Sequence, residues 1–236
     1  MTSILAASFL GFASFAQTTS TASQSLYPAA VSSAASADGF VADGWSLEHR
    51  IENDLNADGL NDLVLIVRRA REQAGSGDRS FDVMRRQILI AFRDKQSGRY
   101  RLEHQENALV PVRESANVED YLSGHNPLVA RSNGFAVNLD LFMGAGGWET
   151  EQRAFQFEYR KGRFVLVAFD SLRTNRASGK TTGIKIDYLT GLAVTNSGNI
   201  QDDQIKEVSE KLAVQRLFNL EDIGPGFDFN PFPEKD

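Results

Sequence analysis

The sequence predicts a mainly β protein, or a β-rich α+β one, built as a single domain of antiparallel hairpins in a meander with little helix. From Phe40 onward the apolar residues fall in short β-branched or aromatic runs separated by Gly, Asn and Asp, which is the pattern of strands and turns. Helical periodicity is weak by comparison. Residues 117–124 are long enough for one or two turns of helix. Ile205, Val208 and Leu212 have helical spacing, but this pattern does not continue along the chain.

Paired strands are predicted where two such runs flank a glycine-containing turn. Lys161-Gly162 separates "RAFQFEYR" from "RFVLVAFDSL", Thr190-Gly191 separates "GIKIDYL" from "LAVTNSG", and similar pairs flank "DKQSG" and "GAGGW". Within "RAFQFEYR" the aromatic residues alternate with polar ones, which predicts one buried and one solvated face. The run "FVLVAF" is apolar on both faces and is therefore expected at the centre of a sheet.

The N-terminus predicts export. Residues 4–16, "ILAASFLGFASFA", are uncharged, have the length of a signal-peptide core and end in small residues, although no Lys or Arg precedes them. A buried N-terminal segment is the alternative. We therefore expect a signal peptide at residues 1–16, a disordered leader or linker of small polar residues at 17–39, and one β-rich domain at 40–236 that ends in an extended, Pro-rich tail, "GPGFDFNPFPEKD". This predicts a periplasmic or secreted protein with no transmembrane segment in its mature chain.

Composition argues against several classes of function. The chain has 25 basic and 31 acidic residues, a formal charge of −6 and no basic run, so a nucleic-acid partner is not expected. It has no cysteine, which excludes disulfides, thiolate metal sites and cysteine nucleophiles. The three histidines are not spaced as metal ligands, and no serine lies in a G-x-S-x-G motif. The sequence "SGKT" at residues 178–181 lacks the upstream glycine of a phosphate-binding loop.

The most specific motif is "DLNADGLND", residues 54–62, which leads into the strand-like run "DLVLIV". Asp54, Asn56 and Asp58 alternate, so a curled loop would direct their side-chain oxygens inward around a hard cation. The carbonyl of Leu60 and the side chain of Asp62 would complete an oxygen ligand set for Ca²⁺. Position 12 of the loop is a leucine rather than the bidentate Glu of an EF-hand, which predicts weak binding, roughly 10⁻⁴–10⁻³ M.

A metal-free acidic turn is the alternative explanation of this motif. Asp and Asn also stabilise turns by accepting hydrogen bonds from the nearby backbone. Three carboxylates in one short loop repel each other unless a positive charge lies between them, and this repulsion favours the calcium hypothesis.

The loop and the strand behind it resemble the calcium loops of FG-GAP (integrin-type) repeats, in which the loop joins two strands. No second loop of this pattern is present, so a propeller of such repeats is not expected. Over about residues 40–223 the chain also resembles a group of uncharacterised secreted or periplasmic bacterial β-rich proteins. The segments that carry this resemblance are "GFVADGWSLEHRIENDLNADGLNDLVLIVR", "FMGAGGWETEQRAFQFEYRKGRFVLVAF" and "TTGIKIDYLTGLAV". It implies an exported β-rich domain without an assigned activity.

Two other clusters are weaker candidates. Trp148, Glu149 and Glu151 place an aromatic ring and two carboxylates beside a glycine-rich turn, which suits ligand contact or a glycosidase, although a solvated strand face is the simpler explanation. The arginines at 68–71 and 85–86 are most simply explained by a solvated edge. The alternatives are that they anchor the intervening loop by ion pairs or that they bind an acidic partner.

We therefore expect an exported, non-enzymatic β domain with one structural Ca²⁺ loop. It would act as a binding or scaffolding module of the cell envelope, on a partner that the sequence does not identify. The main alternative is a hydrolase of envelope polymers or glycans, with acids such as Glu149 and Glu151 in a cleft. An inhibitor or immunity-type partner of another exported protein is a third hypothesis.

Overall fold

The computed structural model describes residues 26–144, 146–202, 204–213 and 217–232. Within these ranges the only helical elements are 3₁₀ turns at Ala37–Phe40, Gly77–Arg79 and Leu220–Asp222. The strands are β1 Ser33–Ala34, β2 Trp45–Asn53, β3 Asp62–Arg69, β4 Gln73–Ala74, β5 Phe81–Asp82, β6 Arg86–Arg93, β7 Tyr100–Glu106, β8 Leu128–Arg131, β9 Gly134–Phe142, β10 Glu149–Arg160, β11 Arg163–Asn175, β12 Lys180–Asp187, β13 Leu192–Asn199 and β14 Lys206–Lys211.

These strands form two large antiparallel sheets and a small ribbon. A curled five-stranded sheet has the order β1-β7-β6-β3-β2, and β4 pairs only with β5. The second large sheet is a meander in which β8 to β14 lie side by side in chain order. The predicted mainly β, antiparallel fold is therefore confirmed. The strand that contains "FVLVAF", β11, is the central one of the seven, as its two apolar faces predict.

The tight turn predicted between β10 and β11 is present. Lys161 and Gly162 have φ angles of 51° and 82°, so both lie in the left-handed region. Two-residue turns with positive φ at both positions match the twist of the strands they join, and glycine adopts this conformation without steric cost. The turn thereby fixes the long β10–β11 pairing, from Arg160 opposite Arg163 to Glu149 opposite Asn175.

The two large sheets share one apolar core. Ile66 and Ile88 of the five-stranded sheet belong to the same cluster as Phe135, Phe155 and Phe157 of the seven-stranded sheet. Each of these side chains is at most 1% exposed. Full burial of an apolar side chain of this size contributes about 1.5–3 kcal/mol, so this core is the main source of stability.

The domain begins earlier than residue 40. Ala34, Ala37 and Phe40 are at most 4% exposed and cover the other face of the five-stranded sheet, where they form a second core with residues that include Leu65 and Leu89. The small residues that suggested a linker are needed here because the chain packs closely on itself: a Cβ on Gly39 would lie 2.8 Å from that of Ala34. The expected leader must be shortened accordingly, and the expected signal peptide lies outside the described residues.

Residues 217–232, here called the C-terminal strap, add aromatic side chains to the shared core. The ring of Phe229 lies 5.9 Å from those of Phe155 and Phe169 and 5.1 Å from that of Phe218. The hydroxyl of Tyr188 donates a hydrogen bond of 2.6 Å to the carbonyl of Pro231. As far as the structure describes it, to Phe232, the Pro-rich tail predicted from the sequence is thus a packed part of the fold.

The weak helical spacing of Ile205, Val208 and Leu212 is misleading. The structure forms β14 across Lys206–Lys211, paired with β13 at one edge of the seven-stranded sheet. The edge of β13 offers a row of backbone partners, which outweighs three loosely spaced apolar residues. Charged side chains on β14 suit a strand that ends a sheet.

Two arginines expected at a solvated edge are instead anchored by ion pairs. Arg86 has a side chain only 1% exposed, and its guanidinium donates to both carboxylate oxygens of Glu48, at 2.6 and 2.9 Å, and to Asp120 at 2.7 Å. Arg85 forms a two-bond pair with Glu72, at 3.1 Å for each bond. For these two residues the alternative of anchoring ion pairs is therefore the correct one.

Candidate functional site

The acidic loop of residues 54–62 joins β2 to β3 and is held by its own polar side chains. The Asp54 carboxylate accepts hydrogen bonds from the backbone N–H groups of Asp58, at 3.2 Å, and Gly59, at 2.9 Å. Asn56 Oδ1 also accepts from the N–H of Asp58, at 3.0 Å, and Asp58 Oδ1 accepts from that of Leu60, at 2.8 Å. These bonds curl the loop tightly, with Gly59 at a φ of 85°.

Asp62, the last predicted calcium ligand, is fully buried at the start of β3. Its two carboxylate oxygens accept hydrogen bonds from the backbone N–H groups of Arg93, at 2.9 Å, and Leu55, at 3.0 Å. Burial raises the pKa of the Asp62 carboxyl above its usual value, the two N–H donors oppose this shift, and the nearby charges of Asp58 and Asp54 add to it. Asp62 therefore joins the loop to β6 while bearing the repulsion of its acidic neighbours.

The predicted calcium ligands are close in sequence but do not form a ready-made metal cluster. Within the described ranges, no group of three or more His, Cys, Asp or Glu side chains is arranged to hold a metal ion. The loop bonds are also those of a metal-free acidic turn, the alternative that the sequence leaves open. A carboxylate has about four lone-pair sites, so accepting one or two N–H groups leaves capacity for a cation. Calcium binding stays a prediction.

The residue before the loop connects the two large sheets. The side-chain amide of Asn53, at the end of β2, donates to the carbonyl of Gly134 at 2.9 Å and to that of Arg131. These two carbonyls belong to the turn between β8 and β9 of the seven-stranded sheet. The position of the acidic loop is thereby tied to one end of that sheet.

The carboxylate pair at the start of β10 does not form a catalytic dyad. Glu151 is 6% exposed, and its two oxygens accept from Arg153 at 2.7 Å and from Arg173 at 2.8 Å. Arg153 also donates to the carbonyls of Gly226 and Phe229 in the C-terminal strap. These contacts give Glu151 a structural role in holding the strap, whereas Glu149 is exposed. Ligand contact by Trp148, Glu149 and Glu151 stays a prediction.

Replacing Glu151 with alanine is expected to lower the free energy of unfolding by roughly 2–4 kcal/mol, because Arg153 would stay buried without its charged partner. Glu149→Ala is the matched control, and an exposed residue of this kind should change stability by no more than about 0.5 kcal/mol. Urea denaturation of the two variants measures the difference. Equal effects of both substitutions would show that Glu151 has no special structural role.

A trough lies on the outer face of the seven-stranded sheet, and Trp148 comes just before the strand at its centre, β10. This face points away from the shared core. Because successive side chains of a strand alternate between faces, Thr150, Gln152, Ala154 and Gln156 of β10 lie on the outer face, opposite to the buried Phe155 and Phe157. Trp148 lies outside β10, next to its first residue, and its carbonyl accepts from the N–H of Arg176 at 2.6 Å. Its side chain is 64% exposed.

The register of the sheet forms the trough by placing short side chains next to one another. Ala136 and Ala168 flank Gln156, and Asn138 and Asp170 flank Ala154. Three adjoining depressions result, the central one with a volume of about 480 Å³. The outer-face side chains that line them are Arg131, Ala136, Asn138, Asp140, Phe142, Thr150, Gln152, Ala154, Gln156, Ala168, Asp170, Leu172, Thr174, Lys185, Asp187, Leu192 and Val194. Gln152, Asp170 and Leu172 are exposed, while residues of the segment 119–125 line two of the three depressions.

The charged groups of the trough are mostly acidic. Asp140 accepts a hydrogen bond of 2.8 Å from Gln152, and Asp170 lies 3.7 Å from the Lys185 ammonium. Burial raises the pKa of the Asp170 carboxyl, and Lys185 partly opposes this shift. Asp187, Arg131, Glu119 and His125 also line the depressions, and the amides of Asn138, Gln152 and Gln156 offer both hydrogen-bond donors and acceptors.

Sequence patterns alone did not identify the trough. Its floor consists of alanines such as Ala136, Ala154 and Ala168, which are unremarkable at the solvated positions of an alternating strand. They become a surface feature only when the pairing of β9, β10 and β11 brings them side by side. The one available signal was Trp148, an exposed aromatic residue beside a glycine-rich turn.

No helix among the described residues is long and apolar enough to cross a membrane. Comparisons of the chain with protein-family models, with curated proteins and with solved structures give no significant match.

Proposed function

We propose that this chain is an exported, non-enzymatic module of the cell envelope or extracellular space that binds another component through the trough on its seven-stranded sheet. The observation that carries this proposal is a concave sheet face with polar side chains on which Gln152, Asp170 and Leu172 are exposed. Concave sites with a few well-placed polar groups are the usual binding sites of proteins. The sequence does not identify this partner.

The second part of the proposal is that the acidic loop binds Ca²⁺ in the manner of an FG-GAP loop. Side-chain oxygens of Asp54, Asn56, Asp58 and Asp62 and the carbonyl of Leu60 would hold the ion. Support comes from the buried carboxylate of Asp62, whose neighbouring acidic charges a cation would neutralise. The bond from Asn53 to the β8–β9 turn would then transmit the stiffness of the loop to Arg131, at one end of the trough.

Thermal unfolding in EDTA and in about 10 mM calcium tests the metal site. With a dissociation constant of roughly 10⁻⁴–10⁻³ M, calcium should stabilise the folded chain by about 1.4–2.7 kcal/mol and raise Tm by about 3–10 °C. Asp58→Ala should abolish this increase. Asp94→Ala is the matched control, because Asp94 also caps a turn, at 2.7 Å from the N–H of Ser97, but lies in the β6–β7 hairpin.

Either of two results would contradict the calcium proposal. One is an unchanged Tm of the original chain in calcium. The other is an equal increase in Asp58→Ala, which would place the ion elsewhere. In both cases the loop is an acidic turn held by its own hydrogen bonds, and the trough has to be considered without a metal.

A further inference from the structure

The last strand of the seven-stranded sheet, β14, leaves one edge of that sheet open. Its six residues, Lys206–Lys211, are all exposed, although each lies opposite a residue of β13. At the other end of the sheet, β8 packs against β2, and the Asn53 amide at the end of β2 donates to the carbonyl of Arg131 in β8. Within the described ranges, the open edge of this sheet is therefore that of β14.

The backbone of β14 presents alternate N–H and C=O groups at this open edge. In an antiparallel pair, every second residue bonds to the neighbouring strand and the residues between them point away from it. The N–H of Leu212 donates to the carbonyl of Gly191 at 2.7 Å, in register with the β13–β14 pairing. Counting back from Leu212 in steps of two, the even-numbered residues bond to β13, so the backbone groups of Glu207, Ser209 and Lys211 face outward.

The side chains of β14 alternate in the same way between the two faces of the sheet. Ala193, which lies opposite Glu210, belongs to the shared core, so the even-numbered residues of β14 lie on the inner face. Val208 ends a row of β-branched residues, since it lies opposite Thr195 and Thr195 lies opposite Ile184. Val208 is 53% exposed, so this row stops at solvent.

The charges on the inner face of β14 complement themselves. Lys206 lies two residues before Val208, and Glu210 lies two residues after it. When two antiparallel copies of β14 pair with Val208 opposite Val208, Lys206 of each chain lies opposite the partner's Glu210. Opposite charges in directly opposed positions stabilise a pair of strands. Within the described ranges, neither Lys206 nor Glu210 has an ion pair of its own.

Neighbouring registers are less favourable. A shift by one position would set Lys206 opposite the partner's Lys211 and would set glutamates opposite each other, and like charges in such positions are destabilising. A shift by two would set Val208 opposite the partner's Glu210. It would also depend on Lys211, whose ammonium already donates to a carbonyl of the β12–β13 turn. The sequence of β14 thus favours the register centred on Val208.

Backbone hydrogen bonds fit the same register. Glu207 lies opposite the partner's Ser209 in it, and both residues have outward N–H and C=O groups. Two such residues exchange two hydrogen bonds, and the two-fold axis repeats the pair, so about four backbone bonds can form across the seam. The β-branched row that stops at Val208 continues through the partner's Val208, which covers an apolar side chain that is exposed in the single chain.

We infer that two copies of this chain pair antiparallel through β14, about a two-fold axis at Val208, so that their seven-stranded sheets form one continuous sheet. Lysine on an edge strand normally discourages pairing with other chains. Here Lys206 meets the partner's Glu210, so the same charges select a second copy of β14. The seam is short, and a small interface of this kind forms a weak, reversible dimer.

Sedimentation velocity of the full chain, from about 10 µM to about 1 mM, tests this inference, and the fraction of dimer should rise across this range. Lys206→Glu and Glu210→Lys should each weaken dimerisation about tenfold or more, because each sets like charges opposite each other twice. The double variant restores both ion pairs and should dimerise like the original chain. Glu207→Lys is the matched control, since it reverses an exposed charge on the outer face of the same strand and should change the dissociation constant by less than about threefold.

A proline at position 209 blocks the seam without removing a hydrogen bond of the fold. The N–H of Ser209 faces outward, and proline is tolerated on an edge strand where the N–H faces solvent. Ser209→Pro should therefore keep the chain monomeric at every concentration tested, whereas Ser209→Ala should dimerise. Circular dichroism and Tm show whether each variant is folded, and the charge reversals decide the matter if Ser209→Pro is not.

Three results would overturn the inference. A chain that stays monomeric up to about 1 mM would leave the edge to solvent or to an extended segment of another protein. A dimer that persists unchanged in Ser209→Pro and in both single charge reversals would use another surface. Single reversals that weaken the dimer, with a double variant that does not restore it, would contradict the register centred on Val208.

Discussion

Replacing Arg86 with alanine is expected to lower the free energy of unfolding by about 3–5 kcal/mol, because the change leaves two partly buried carboxylates without their partner. Glu48 lies on β2 and Asp120 lies in the segment between β7 and β8, and both bind the same guanidinium. Their side chains are only 20% and 25% exposed, so water replaces the lost contacts poorly. Urea denaturation of Arg86→Ala measures the loss.

Arg160→Ala is the matched control. Its pair with Glu158 has a comparable distance of 2.7 Å, but the arginine side chain is 46% exposed, and exposed pairs contribute about 0–1 kcal/mol. Arg86→Lys should fall between the two, since lysine keeps the charge but cannot make the two-bond contact with Glu48. A loss below about 1 kcal/mol in Arg86→Ala would show that Glu48 and Asp120 regain water at little cost.

Replacing Phe229 with alanine is expected to lower the free energy of unfolding by about 3–5 kcal/mol. The midpoint of urea denaturation measures this loss. The ring is 7% exposed and contacts Phe155, Phe169 and Phe218, so its removal leaves a cavity at the junction of strap and sheet. The cavity adds its own cost to the lost transfer energy because the surrounding rings can collapse only partly.

Leu189→Ala, at a side chain 48% exposed in the β12–β13 turn, should change stability by no more than about 0.5 kcal/mol. An equally small effect in Phe229→Ala would mean that the strap lies on the sheet without stabilising the fold. A changed slope of the denaturation curve together with a shifted midpoint would indicate instead that the strap detaches as a separate unit.

The parts of the fold that depend on neighbouring residues could be predicted from the sequence. Alternation of Phe155 and Phe157 with polar residues identified the buried face of β10, and Lys161-Gly162 identified its turn. Both signals are local, since side-chain alternation and positive φ are properties of a single strand and a single turn.

The features that were missed depend on contacts between distant segments. Arg86 looks solvated in sequence because Glu48 and Asp120 lie 38 and 34 residues away. Ala34 looks like part of a linker because Tyr100, the residue with which it pairs in the sheet, lies much later in the chain. Val208 had a weak helical context, and only the free edge of β13 makes its segment a strand.

In the candidate site, too, the local features could be predicted from the sequence and those that depend on distant segments could not. The acidic loop was evident because Asp54, Asn56 and Asp58 lie within a few residues, although sequence could not show that Asp62 directs both oxygens to the backbone. Trp148 was noted, but the trough beside it depends on the register of several strands. For Glu151, the sequence could not show the ion pairs with Arg153 and Arg173 that give it a structural role.

The C-terminal strap also bears on the order of events during synthesis. A nascent chain that has emerged only as far as β14 contains every strand of both sheets, yet the aromatic rings of Phe155 and Phe169 still lack Phe229. Arg153 likewise lacks the two strap carbonyls that accept its hydrogen bonds. Because the strap closes the core, the native state of this domain is reached only after residues 217–232 have been translated, and until then its aromatic surface is available to chaperones or to aggregation.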